Sequence, residues 1–322
     1  MNGLTMNGPH QDIWGIILSG GDGTRLQNFT EQIYGCKRPK QYCAIVGTRT
    51  MLRHTIDRAK LLIPPKQLVT IIDKSHLPYA DSDLFDQPSG NVIVQPRNRD
   101  TGPGILHALL HIYRRNHDAL VVVFPSDHFI KEEKKFMEHV RTAVTMANIC
   151  PDIPILIGVN PFCNETEYGW IEPGDRIAEY QNTSLSQVRS FWEKPEKEIC
   201  GALHIGGCLW NTMVIVANVA AIMDMFRENT PEIYRPFNEI RGSLGSSYET
   251  SIMEELYSAL PSVNFSSAIL EPRAKQFGVL PVDGVYWSDW GQEHRIKADA
   301  ERFNLRLKEL SVPMADGVNS AS

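Results

Sequence analysis

Between Trp14 and about Gly158, short apolar runs rich in β-branched residues alternate with longer amphipathic segments. Strands buried on both faces read as continuous apolar runs, and a helix returning between each pair makes them parallel. The alternation therefore predicts an α/β fold, a doubly wound, mostly parallel sheet of Rossmann-like type with helices on both faces. Strands are expected at residues 14–18, 68–72, 92–94, 120–124 and 155–159. Helical stripes fall between them: Leu52, Ile56, Ala59 and Leu62; Ile105, Ala108, Leu109 and Ile112; and Phe136, Val140, Ala143 and Val144. After Gly158 the pattern shifts to shorter strands and turns, with strands expected at 186–192 and 202–209 and helices near 219–227 and 252–260. A charged, helical stretch is expected over 293–310, as a small C-terminal extension. No linker separates the halves, so the second is expected to pack on the first.

In open α/β sheets the ligand sits at the carboxyl ends of the strands. There, after the first strand, the chain reads Gly20-Gly21-Asp22-Gly23-Thr24-Arg25-Leu26. Glycines remove the Cβ atoms that keep a backbone away from a phosphate and permit φ > 0 where several N–H groups converge on one anion. Arg25 adds a planar, permanently charged fork. No Gly-Lys-Ser/Thr follows and the spacing is not Gly-x-Gly-x-x-Gly, which argues against a P-loop ATPase and a dinucleotide dehydrogenase. A nucleotide-binding loop and a plain chain-reversing turn both fit the loop alone.

Further residues bear chemistry. Lys40, in Arg38-Pro39-Lys40-Gln41, either returns an ammonium over the phosphates or lies on the surface. Asp127, in Pro125-Ser126-Asp127-His128, ends an apolar strand, where a carboxylate is paired, caps a helix or holds a metal. Glu193-Lys194-Pro195 is an ion pair at a turn or a polar-ligand site, and Trp287-Ser288-Asp289-Trp290-Gly291 an acidic site or an aromatic core cluster. His107 and His111 stand four apart on a helical pattern, but no third metal ligand is evident, so they read as surface or half-buried histidines.

Composition bounds the partners. A formal net charge of −6 gives no support for nucleic acid or anionic membrane, and a small phosphorylated ligand fits better. The six cysteines form no Cys-x-x-Cys pair, and no apolar stretch approaches the ~20 residues that span a bilayer. With no signal-peptide pattern at the start, reduced thiols in a cytoplasmic protein are expected.

Six motifs in order, Gly20–Leu26, Pro39–Gln41, Pro125–His128, Tyr168–Ile171, Glu193–Pro195 and Trp287–Gly291, resemble those of the sugar-1-phosphate nucleotidyltransferases, above all the mannose-1-phosphate guanylyltransferases (GDP-mannose pyrophosphorylases). The resemblance runs from about Trp14 to Arg295. It implies condensation of a sugar 1-phosphate, mannose 1-phosphate foremost, with a nucleoside triphosphate, GTP foremost, giving a nucleotide sugar and pyrophosphate. It implies that Gly20, Gly21, Gly23, Thr24 and Arg25 cradle the triphosphate and that Arg25 and Lys40 neutralise charge during transfer. Arg99 and Thr101 would lie beside the base, Gly169, Glu193, Lys194 and Asn211 around the sugar phosphate, and Asp127 and Asp289 would hold Mg²⁺. His128 would be a hydrogen-bonding neighbour rather than a base. The implied layout is a transferase domain over 13–292, a helical segment over 293–311 and loose tails at 1–12 and 312–322, and relatives often self-associate as homodimers.

Four departures mark the chain, one of them a Phe29–Lys37 stretch without the family's common Trp-Pro. The family's Trp-Asn-Ser-Gly is Trp210-Asn211-Thr212-Met213, its Arg-Asn-Thr-Ala-Pro is Arg99-Asp100-Thr101-Gly102-Pro103, and an expected Asp is Asn264. A non-catalytic nucleotide-sugar-binding regulator, or a transferase for another sugar phosphate, is the alternative reading that Met213 favours.

Overall fold

The computed structural model describes residues 12–309. The expected tails lie outside that range except at Asp12, whose carbonyl accepts from Leu120 N at 3.2 Å. The strands are β1 (Ile13–Ser19), β2 (Leu68–Asp73), β3 (Val92–Gln95), β4 (Leu120–Pro125), β5 (Phe129–Ile130), β6 (Ile155–Val159), β7 (Gly169–Tyr180), β8 (Thr183–Glu193), β9 (Leu209–Asn218), β10 (Gly278–Val282) and β11 (Trp287–Ser288). Nine form one sheet in the order β3-β2-β1-β4-β9-β6-β10-β8-β7, while β5 and β11 pair separately. Parallel pairing joins β3, β2, β1 and β4, and again β6 and β10; β8 and β9 run against the rest.

The register sets up the site. Leu18 pairs with both Ile71 and Pro125, so β1, β2 and β4 end level. The chain steps outward from β1 to β3 and then crosses to β4 on the other side, which puts a topological switch between β1 and β4. The loops that follow these strands flank the crevice such a switch leaves.

Alternate residues of each strand feed opposite cores. Ile16, Val121 and Val123 pack with helices Thr101–Arg115 and Val219–Asn229, while Ile17, Val122 and Phe124 pack with helices Met51–Ala59 and Glu133–Ile149. Thr50 caps helix 51–59 by accepting from Arg53 N at 3.0 Å. Helix 101–115 is buried on more than its predicted stripe, Leu106, His107 and Leu110 included, because helices as well as the sheet pack on it. A third, smaller core joins helix Gln27–Tyr34 to helix Glu293–Phe303 through Phe29, Ile33, Trp290 and Ile296.

The second half departs from expectation at two places: the helix expected over 293–310 ends at Phe303, where Asn304 turns left-handed at φ +50°, and one expected strand does not form. Residues 202–209 are not a strand: helix Lys197–Ile205 buries Cys200 and Leu203 at helical spacing, Gly207 turns the chain at φ +74°, and β9 begins only at Leu209. Among the described residues no helix is long and apolar enough to cross a membrane.

Candidate active site

The glycine loop leaves β1 at Ser19 and is pinned from below by the segment that follows it. The Ser19 carbonyl accepts from Tyr42 Oη at 2.7 Å and Gln41 Nε2 at 3.2 Å, and the Gly21 carbonyl accepts from Gln41 Nε2 at 2.7 Å. At Gly20 a Cβ would lie 2.5 Å from the amide nitrogen of Gln95, and Gly23 takes the left-handed φ of +58°. At Gly21 a Cβ would meet nothing within 4 Å. No internal contact requires glycine there, and its backbone is left open to an incoming group. Together with Asp127, Thr101 and Met213 the loop lines a cleft of about 570 Å³.

Lys40 joins the two acidic motifs. Its side chain is buried; Nζ lies 3.0 Å from Asp127 Oδ2 and donates to the backbone carbonyl of Asp289. The Asp289 carboxylate accepts from Gly291 N at 2.8 Å and from Arg295 Nη1 at 2.9 Å, and its other oxygen lies 3.6 Å from Arg25 Nη2. Arg25 also donates to Glu167 at 2.8 Å. Arg25, Asp289, Lys40 and Asp127 thus form one continuous chain of contacts along the crevice. Burial alone would raise both aspartic acids, but the charge of Lys40, then that of His128, outweighs it and holds them below the usual carboxylate range. His128 itself is pushed down by burial against the pull of Asp127, with its ring edge-on to Trp287.

A charge-paired crevice beside an open glycine loop suits a polyanion. A model of the nucleotidyl transferase family matches residues 14–301. The chain belongs to that family. Mannose-1-phosphate guanylyltransferase 2 of Escherichia coli O157:H7 is 28% identical over 285 residues, which are 86% of this chain and 57% of that protein. The xanthan biosynthesis protein XanB of Xanthomonas campestris pv. campestris (strain B100) is 29% identical over 286 residues, 87% of this chain and 58% of that protein. The chain therefore spans little more than half the length of these relatives. A solved structure described as mannose-1-phosphate geranyltransferase from Thermus thermophilus shares the fold, with a TM-score of 0.73 at 22% identity over 87% of this chain and 76% of that one.

The expected site residues divide. Gly20, Gly21, Gly23, Asp127 and Thr101 line the cleft, and Lys40 and Asp289 adjoin it through the contacts above. Thr24 opens the short helical turn Thr24–Leu26 behind Gly23. Arg99 turns away from the cleft: its guanidinium donates to the carbonyls of Tyr257 and Ser258 at 3.0 and 3.1 Å, the C-terminal end of helix Glu249–Ala259. Asp100 instead faces the cleft at φ +67°, and its carboxylate accepts from Thr101 N at 2.6 Å and Asn264 Nδ2 at 3.1 Å.

The expected sugar-side residues gather at the ends of β7, β8 and β9. Gly169 pairs with Glu193, and a Cβ there would come within 2.8 Å of the Phe191 ring. Lys194 follows at φ +49° with its ammonium 3.6 Å from Glu193, whose carboxyl is raised by burial despite that partner. Asn211 is spent locally: its side-chain oxygen accepts from Met213 N at 3.0 Å, holding a bulge in β9. Met213 stands at φ +56°, the left-handed conformation that suits the glycine its motif usually has.

Several contributors had no signal in the sequence. Glu167 and Arg295 follow no motif, and only the fold brings them to Arg25 and Asp289. Gln41 lies within a motif, but that it supports the glycine loop shows only in the fold, and Gln95 packs against Gly20 because β1 and β3 end at the same edge.

Proposed function

We propose that this chain is a nucleotidyltransferase that joins mannose 1-phosphate to GTP, releasing pyrophosphate and forming GDP-mannose. The observation that carries the reading is Lys40, a buried cation set between the Asp127 carboxylate and Asp289 at the mouth of an open glycine loop. Such a transfer needs no protein nucleophile, because a phosphate oxygen of the sugar phosphate attacks the α-phosphorus in line. The new P–O bond forms as the bond to the β-phosphate breaks, and positioning with charge neutralisation supplies the catalysis.

The N–H groups from Gly20 to Gly23 would take the triphosphate. Arg25, now shared between Glu167 and Asp289, would turn to the phosphates. Lys40 would stabilise the charge that builds on the leaving pyrophosphate, and Lys194 would hold the phosphate of the sugar. Asp127 and Asp289 are ionised hard oxygen donors of the kind Mg²⁺ takes beside substrate phosphates, with Asp127 open to the cleft and one Asp289 oxygen met only by Arg25 Nη2 at 3.6 Å. Bound there, the ion would polarise the phosphoryl oxygens. The same reading has the reaction in the cytoplasm, with two small-molecule substrates and a homodimer as the assembly.

Met213, a long side chain over the cleft, favours a second reading, a nucleotide-sugar-binding regulator or a transferase for another sugar phosphate. Pyrophosphate release with Mg²⁺, measured over a panel of nucleoside triphosphates and sugar 1-phosphates, separates these. The proposal expects the highest kcat/KM for GTP with mannose 1-phosphate. Another preferred pair would change the substrate, and nucleotide binding with no release under any pair would make the chain a regulator.

A further inference from the structure

The histidines that lacked a third partner in the sequence acquire one in the fold. His107 and His111 stand one turn apart on helix 101–115, and Glu249, the first residue of helix 249–259, reaches both. Its Oε1 lies 2.8 Å from His111 Nε2 and 3.8 Å from His107 Nε2, and the three donor atoms all lie within 4.8 Å of one another. His107 is 1% exposed, and its Nε2 has no hydrogen-bond partner.

His107 Nδ1 lies 3.2 Å from Tyr257 Oη, so the other ring nitrogen, Nε2, is the atom turned toward Glu249. A buried ring nitrogen without a hydrogen-bond partner costs free energy that a bound cation would offset. We propose that His107, His111 and Glu249 bind a transition-metal dication, Zn²⁺ foremost, through the two Nε2 atoms and Glu249 Oε1, with a water completing the tetrahedron.

A set of two imidazoles and a carboxylate suits Zn²⁺ and disfavours Mg²⁺, so this centre is chemically distinct from the carboxylates of the cleft. The outer contacts match those of metal-bound groups: Tyr257 orients the His107 ring, and Gly245 N donates to Glu249 Oε2, leaving Oε1 for the ion. His111 and Glu249 remain partly exposed, which leaves a path of entry. The ion would tie helix 101–115, whose N-terminus carries Thr101 into the cleft, to helix 249–259, whose C-terminal carbonyls hold Arg99. It would stiffen that wall of the cleft from behind.

The test is titration of the full chain, stripped with chelator, with Co²⁺, Zn²⁺ and, as control, Mg²⁺. Expected are one equivalent of Co²⁺ with the visible d–d absorption of a four-coordinate ion and no thiolate charge-transfer band, and a rise in Tm with Zn²⁺ but not with Mg²⁺. His111→Asn and Glu249→Gln, chosen because both side chains are partly exposed, should each weaken Zn²⁺ binding by roughly 100-fold or more, since losing even an outer contact costs 10–100-fold. Absence of the cobalt band in the wild-type chain overturns the site whatever the variants do. So does a thiolate band, or undiminished binding in both variants.

Discussion

Met213 shows how one residue records the difference between this chain and its motif. A non-glycine residue in the left-handed region costs about 1–2 kcal/mol, and the bulge in β9 fixes it there. Met213→Gly removes that strain and loses packing and unfolded-state entropy in return, so denaturant unfolding should show a change of less than about 1 kcal/mol, against 2–5 kcal/mol for an ordinary buried Met truncation. Met213→Val should be markedly worse, because a β-branched residue resists positive φ. At the acidic pair, Asp127→Asn should leave the fold intact by circular dichroism and lower turnover roughly 100-fold or more. Asp289→Asn should lower turnover likewise and lose a further ~1 kcal/mol of stability, because Arg295 gives up one of its two carboxylate partners, the one at 2.9 Å, and keeps Glu165 at 2.8 Å. Lys40, Asp127 and Asp289 could be named from the sequence because each lies in a short motif, the two aspartates just past a strand and Lys40 at the head of the short turn Lys40–Tyr42. Arg295 and Glu167 could not, since their roles depend on which helix and which loop the fold lays beside Arg25 and Asp289.

At the level of elements, close approach sets what each segment tolerates. Helix 101–115 begins against the chain at Val263, where Gly102 N donates to the Val263 carbonyl at 2.8 Å and a Cβ on residue 102 would lie 2.7 Å from that same oxygen. Gly102→Ala, which restores the residue its motif usually has, should therefore destabilise this chain by about 1–3 kcal/mol in urea unfolding, because a backbone atom must move. A second prediction concerns the cluster that ties helix 51–59 to Asp86, which accepts from Arg53 at 2.9 and 3.0 Å and from Lys60 at 2.6 Å. Arg53, opposed by a smaller burial effect and aided by Lys60, lowers the Asp86 carboxyl from 3.8 to about 2. A depressed carboxyl stabilises above its unfolded value and loses that contribution as pH falls through the folded one. Asp86→Asn should thus cost about 1 kcal/mol at pH 7, and the gap to wild type should close as pH drops from about 4 to about 2. Strands β1, β2, β3, β4 and β6 were legible because parallel strands in a covered sheet are near-continuous apolar runs. In the second half β7 is long and half-exposed and β9 is bulged, so their period is broken, and residues 202–205, the end of the helix at 197–205, read as the start of a strand over 202–209.

For the molecule as a whole, the sheet order turns scattered motifs into one crevice. Because β1, β2, β3 and β4 end level, the glycine loop, the Asp127 turn and the start of helix 101–115 share an edge, and Lys40 bridges from there to the Asp289 segment. The sequence could show that these motifs follow strands, while only the register shows that they meet. A crystal structure of the full chain with Mg²⁺ and GTP tests this most directly. The triphosphate should lie within hydrogen-bond distance of the Gly21 and Gly23 amides, with Arg25 turned from Glu167 toward it and Lys40 still beside Asp127. A nucleotide seated elsewhere, such as in the second cavity lined by Phe129, Trp290 and Leu305, with the glycine loop bare, would contradict it.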